Sequence, residues 1–376
     1  MPRMPSRNGR PRRVSAWPAA DPLGVAVQGN AFNPASCGPP GGEPNLAAAA
    51  AEFARTLSAI LGPLPSVPRC AVAVSGGADS MALCRLATDW VKEQGGDLTA
   101  LTVDHGLRQG SAEEAHCVAG WMRRFGIEHR ILDWTGAKPA SGLQEAARAE
   151  RYRLLLAWCR EHDIRYLLLG HHRADQAETV LHRLLRGSGL SGLAGMAAIV
   201  ETADVRLVRP LLTWSPTALR SLLDQWGWPW LEDPSNRDPR FARTRLRQAQ
   251  ASLAGYGVTT DALLALAGDA AAARSTMRAA TEELIAAACG LHPAGFARID
   301  RRVLRAAPAE VAAAALARLL AAVGGGGAAV RVRAGRRLDA CRRPAGPRRG
   351  RGETGGRMSS SRLMQRDAAR RAVGAR

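Results

Sequence analysis

The chain has 376 residues (39.9 kDa), of which 46% are apolar and 23% charged, with a formal net charge of +19. That length and apolar content exclude a chain disordered throughout and suggest two or three domains. The charge sits at the ends: residues 1–20 carry five Arg and no acid, residues 331–376 carry fifteen Arg against Asp339, Glu353 and Asp367, and the body between is near neutral. Bulk charge is therefore weak support for a nucleic-acid partner, although a basic patch is the electrostatic footprint of one.

Residues 1–45, rich in Pro, Gly, Arg and Ala without periodicity, read as a disordered extension. A helix is expected over 46–61. Short apolar runs then alternate with amphipathic stretches: strands at 70–74, 98–103, 129–132 and 166–169, and helices at 79–94, 111–125, 144–162 and 173–186. This alternation is the signature of an α/β fold, a doubly wound parallel sheet covered on both faces. Residues 46–214 form this catalytic domain. Ser215-Pro216 opens a helix to Gly227, and an irregular stretch follows to Pro239. From Arg240 to about Val323 the pattern is helical, broken near Gly290–Asp300, so 215–323 read as a second, mostly helical domain. Gly324–Gly327 is a linker, and the Arg/Gly-rich tail over 324–376 holds too little apolar content to fold alone.

Seven scattered Cys with no C-x-x-C argue for free thiols in a reducing cytoplasm. No apolar run reaches the roughly 18 residues of a membrane span. The expectation is a cytoplasmic protein with no membrane contact and no evident protein partner.

The stretch Ser75-Gly76-Gly77-Ala78-Asp79-Ser80 joins the first strand to its helix. Two glycines allow a sharp turn in which successive N–H groups face one concavity, and the helix adds its positive end, so the loop suits phosphate. Ser75 and Ser80 can donate to phosphate oxygens, and Asp79 can help hold a Mg2+. The competing reading is a plain turn with Asp79 or Ser80 as N-cap. Neither the Walker pattern nor G-x-G-x-x-G occurs.

After the fourth strand, Gly170-His171-His172 leads into a helix bearing Asp175 and Glu178, spaced i, i+3 on one face. Two carboxylates at the carboxyl edge of a parallel sheet suit a cationic amine; the alternative is that they complement the helix N-terminus. His171 and His172 read as phosphate contacts or as core histidines, and no third His or Cys at ligand spacing supports zinc. Asp104-His105 follows the second strand and reads either as a nucleotide contact or as a turn cap. Arg148 and Arg151 share a helix face and can clamp pyrophosphate, or pair with Glu145 and Glu150. Four glycines between 187 and 195 suggest a mobile loop over a site. Arg240, Arg243 and Arg247, near Arg237 and Arg245, fall on one helical face suited to RNA phosphates. Trp226, Trp228 and Trp230 either stack on bases or pack the domain junction.

The loop resembles the pyrophosphate-binding loop of the N-type ATP pyrophosphatases. Further segments narrow the likeness: Val103–Arg108, Gly170–Thr179, Arg186–Gly189 with Gly192–Met196, Arg209–Leu211 and Glu232–Asn236. Their order and spacing resemble the tRNA(Ile)-lysidine synthetase family from about Val72 to Arg247. The resemblance implies a ligase that uses ATP and Mg2+ to adenylate C2 of cytidine 34 in the CAU anticodon of tRNA(Ile). L-lysine then displaces AMP, which forms a carbon–nitrogen bond, gives lysidine and changes the codon read from AUG to AUA. It places lysine near Asp175 and Glu178. Asp175, Glu178 and His172 are the candidate bases for the amine proton. The rival readings are another tRNA-modifying enzyme of this class, thiolase-like, and a non-catalytic RNA-binding relative.

Overall fold

The computed structural model describes residues 45–232 and 252–324, apart from Pro65, Gln109 and Ala140. The expectations for both chain ends and for Arg237 to Arg247 fall outside the described residues.

A six-stranded sheet organises the first part. Its strands are β1 (Arg69–Ala73), β2 (Asp97–Asp104), β3 (Glu128–Asp133), β4 (Tyr166–Leu168), β5 (Ile199–Glu201) and β6 (Arg206–Val208), in the order β3-β2-β1-β4-β6-β5. All neighbours are parallel except β5 against β6. Strand alternation sends Cys70, Val72 and Val74 to one face and Ala71 and Ala73 to the other, and both faces are buried. On the first face pack α1 (Leu46–Leu61), α2 (Ala78–Glu93) and α3 (Ser111–Arg124) through Phe53, Leu57, Leu83 and Met122. On the second, α4 (Leu143–Glu161) supplies Leu155 and Trp158.

The four strands read from the sequence are β1 to β4, within a few residues at each end. The three-residue strands β5 and β6 were not expected, being too short to carry a period.

α5 (Arg173–Leu185) and the single-turn α6 (Leu190–Leu193) come between β4 and β5, and α7 (Pro216–Trp226) follows β6. Ser215 caps α7 through Ala218 N at 3.1 Å, with Pro216 in its first turn and Gly227 closing it. Leu219, Leu222 and Leu223 of α7 are fully buried in the core it shares with α2. By packing, this helix therefore goes with the sheet and not with the helices after it.

The later helices are α8 (Thr260–Ala288), α9 (Arg301–Ala306) and α10 (Ala309–Gly324). The sequence break near 290–300 is a hairpin of β7 (Cys289–His292) and β8 (Phe296–Ile299). The first half of α8 packs on α5, with Leu263 and Ala267 against Ala177, Val180 and Leu181. The second half packs on α10 through Leu284 and Ala288 against Val311 and Ala315. α5 is thus held by α8, and residues at its N-terminal end line a cavity.

Candidate active site

In an open parallel sheet, ligands bind at the carboxyl ends of strands where the winding reverses. Here β1 has β2 on one side and β4 on the other, so the loops after β1 and β4 meet there. They meet closely: a Cβ on Gly170 would lie 3.3 Å from the Asp79 carbonyl and the Ser80 Cα. A cavity of about 1060 Å³ opens over this junction.

Gly76 takes φ +85°, and a Cβ there would stand 2.8 Å from both Leu231 Cδ1 and Val118 Cγ2. Leu231 N also donates to Gly76 O at 2.8 Å, so the segment after α7 is fastened across the loop. Gly76→Ala is therefore expected to destabilise the fold by about 2–4 kcal/mol, from left-handed strain plus overpacking, and thermal unfolding measures it. An unchanged melting temperature would contradict this account of the loop.

Gly77 is the N-cap of α2 and no side chain caps the helix, so the N-cap reading of Asp79 or Ser80 fails. The first-turn N–H groups stay available to an anion. Ser80 also lines the cavity, and its hydroxyl is engaged within the loop. Its hydroxyl donates to Gly77 O at 2.8 Å and accepts from Ser75 N at 3.1 Å, which makes it a brace inside the loop. Ser75 is exposed at the cavity, beside Gly77, Ala78 and Asp79. Gly76 is not part of the lining and is covered by Leu231 and Val118.

His172 caps α5: its Nδ1 accepts from Ala174 N (3.2 Å) and Asp175 N (3.4 Å), while Asp175 Oδ2 accepts from His172 N at 3.2 Å. An Nδ1 that accepts carries no proton, so the proton is on Nε2, which lies 3.4 Å from Asp79 Oδ2 and 3.6 Å from Asp175 Oδ2. Burial disfavours an imidazolium, but the hydrogen bond to Asp79 and the charges of Asp175, Asp79 and Glu178 outweigh it and raise the His172 pKa. A second proton would cost the helix cap. Asp175 and Glu178 both line the cavity, as do His171 and His172. The two readings of Asp175 are thus both realised, since it completes the cap and faces the cavity.

His105, Arg148 and Arg151 line the cavity as well. Burial and the Arg151 charge lower the His105 pKa and favour the neutral ring. Glu150 pairs with Arg153, so the expected pairing of Glu150 with Arg148 or Arg151 does not form. Asp104 is not at the cavity. Its Oδ1 accepts from Gly106 N at 2.9 Å, the turn-cap reading.

The glycine-rich segment is not a loop over the site. Arg183 Nη1 donates to Gly192 O and Gly195 O, each at 2.8 Å, and the buried Gln176 amide bonds Met196 N (2.7 Å) and Met196 O (3.0 Å). None of 187–195 reaches the cavity. Trp228 stacks on Phe125 with centroids 4.0 Å apart, and the Arg85 guanidinium lies over both Trp226 and Trp228. Only Trp230 of the three faces the cavity, with Arg220 and Glu232, which the motif reading left without a role.

A family model described as the PP-loop domain matches residues 49–252, over half the chain. The tRNA(Ile)-lysidine synthase of Methylobacterium nodulans is 43% identical over 279 residues, covering 74% of this chain and 81% of the relative. The enzyme of that name from a Bradyrhizobium species is 42% identical over 263 residues, covering 67% and 74%. The chain belongs to the tRNA(Ile)-lysidine synthase family. A solved U34-tRNA thiolase, NcsA from Methanococcus maripaludis with its [4Fe-4S] cluster, is similar at 18% identity and TM-score 0.49, covering 59% of this chain and 79% of that one. As a PP-loop family member, this tRNA(Ile)-lysidine synthase relative uses ATP. Among the described residues no helix is long and apolar enough to cross a membrane.

Proposed function

We propose that the chain joins L-lysine to C2 of cytidine 34 in the CAU anticodon of tRNA(Ile) at the expense of ATP. The observation that carries this is the polarity of one cavity. An uncapped helix start and two arginines line it together with the carboxylates of Asp175 and Glu178. A triphosphate suits the first and a lysine ammonium the second.

Two displacements complete the reaction. The cytidine C2 oxygen bonds to the α-phosphorus as the bond to pyrophosphate breaks; then the lysine amine bonds to C2 as the C2–O bond breaks and AMP leaves. The amine proton passes to a base, for which Asp175 and Glu178 are the candidates at the cavity; His172 could take it only at Nδ1, at the cost of the α5 cap. The protein's work is positioning and charge stabilisation at the phosphates.

Asp79 fits a Mg2+ ligand: its Oδ1 is buried and accepts no hydrogen bond. Mg2+ is commonly held by one or two carboxylates with substrate phosphates and water completing the shell. It would neutralise phosphate charge there.

The thiolase-like alternative, which commonly needs a cysteine pair, is weakened by the lack of any C-x-x-C in the sequence. Burial pushes Cys70, Cys84 and Cys159 up to about 12, so none of the three offers a ready thiolate. The deciding experiment supplies labelled lysine, ATP and tRNA with a CAU anticodon to the purified full chain. Label should enter the tRNA only when ATP is present; ATP-independent or absent incorporation overturns the reading.

A further inference from the structure

Two nucleotides must meet in the proposed reaction, ATP and the cytidine that it activates. The cavity, at about 1060 Å³, is larger than the roughly 300–1,000 Å³ that holds one small ligand. Lining side chains reach it from both faces of the sheet. Arg148, Arg151 and Tyr152 stand on α4, which packs on one face. Arg220 and Trp230 belong to α7 and the segment after it, which pack on the other face with α2.

Of the two large aromatic rings at the cavity, Tyr152 is closed to stacking: it is only 4% exposed, and the Arg148 guanidinium lies over its ring, 5.3 Å from the centroid. Trp230 is half-buried, packed in part against the core and in part bordering the cavity. Trp226 and Trp228 share the Arg85 guanidinium, and Trp228 also stacks on Phe125, whereas Trp230 has no ring or cation partner among the described residues. Its backbone is fixed by the next residue, since Leu231 N donates to Gly76 O at 2.8 Å and the Leu231 side chain covers Gly76. The indole is therefore held beside the phosphate loop with ring surface left open. Arg220 is exposed at the cavity and has no carboxylate partner among the described residues. An open aromatic ring and a guanidinium without a carboxylate are what unpaired RNA engages, the ring with a base and the cation with a backbone phosphate.

We propose that Trp230 is the platform on which the base of cytidine 34 stacks, and that Arg220 takes an adjoining RNA phosphate. The proposal rests on the reading of this cavity as the place where ATP and the CAU-anticodon tRNA meet, and it adds the groups that hold the RNA. A stacked base is held in one plane, which restricts the direction from which its C2 oxygen approaches the α-phosphorus.

The test measures equilibrium binding to the full chain of a tRNA with the CAU anticodon and of the same RNA lacking only the base at position 34. The proteins are wild type, Trp230→Phe, Trp230→Leu and Arg220→Gln. Trp230→Leu keeps apolar bulk but loses the aromatic face, and should weaken the intact tRNA about tenfold, the size of one base–aromatic stack. Trp230→Phe keeps a ring and should stay within about threefold of wild type. The abasic tRNA should bind wild type and both Trp230 variants alike, and ATP should bind all of them within about twofold, because neither contains the stacked base. Arg220→Gln should lower the slope of log affinity against log salt by about one phosphate contact. Equal losses on the intact and the abasic tRNA, or equal binding by Trp230→Phe and Trp230→Leu, overturn the stack. A loss of ATP affinity in Trp230→Leu overturns it as well and assigns the indole to adenine or to the support of the loop. An unchanged salt slope overturns the role of Arg220. If wild type binds ATP and tRNA but transfers no lysine, the proposed function falls while these binding ratios still decide the role of Trp230.

Discussion

Asp79→Ala is expected to lower ATP-dependent lysine incorporation by about 100-fold or more, the cost of losing one positioned group at developing phosphate charge. The size separates two roles. A carboxylate that merely complements the start of α2 is worth about 0.3–1 kcal/mol, and its removal would change the rate less than about tenfold. Asp79 stands in the first turn of α2, with one buried oxygen accepting no hydrogen bond and the other 3.4 Å from His172 Nε2. Neither oxygen is engaged by the helix's own amides. Asp79→Asn keeps the volume and a donor–acceptor pair but removes the charge. If charge at the phosphates is what matters, it should fall nearly as far as the alanine variant, with lysine binding little changed. Measured at saturating tRNA, a loss of less than tenfold in both variants would assign Asp79 to helix stability alone.

The parts legible in the sequence are those whose signal is local. β1, β2 and β4 carry buried residues on both faces and stand out as apolar runs, and the Ser75–Ser80 loop shows its glycines directly. The paired spacing of Asp175 and Glu178 likewise needs only a helix to bring both to one cavity. What stayed hidden depends on distant chain. Nothing in four glycines says that Arg183 and Gln176 tie that segment down, so a loop held by buried polar bonds resembles a mobile one. Ser80 looks like a ligand in any strand–loop–helix reading, and only the turn's own geometry aims its proton at Gly77 O.

Asp175→Asn and Glu178→Gln are each expected to raise the KM for lysine by about 10–100-fold, the range for losing one charged hydrogen bond of about 1.5–3 kcal/mol, with the KM for ATP changed less than about threefold. The isosteric changes matter because Asp175 has two duties. Its Oδ2 accepts from His172 N in the capping box, and an asparagine carbonyl oxygen can accept the same bond. The helix start, and with it the position of His172, is then retained. Asp175→Ala removes cap and charge together and should add about 1 kcal/mol of destabilisation to the lysine defect. Glu178 has no part in the cap and is only 4% exposed, so its neutralisation leaves the helix start intact. If these acids served only to complement the dipole of α5, all three variants would lose thermal stability and none would discriminate lysine from ATP. Steady-state kinetics with each substrate varied in turn, beside thermal unfolding of the same proteins, separates the outcomes. Equal losses toward lysine and ATP would refute the lysine site.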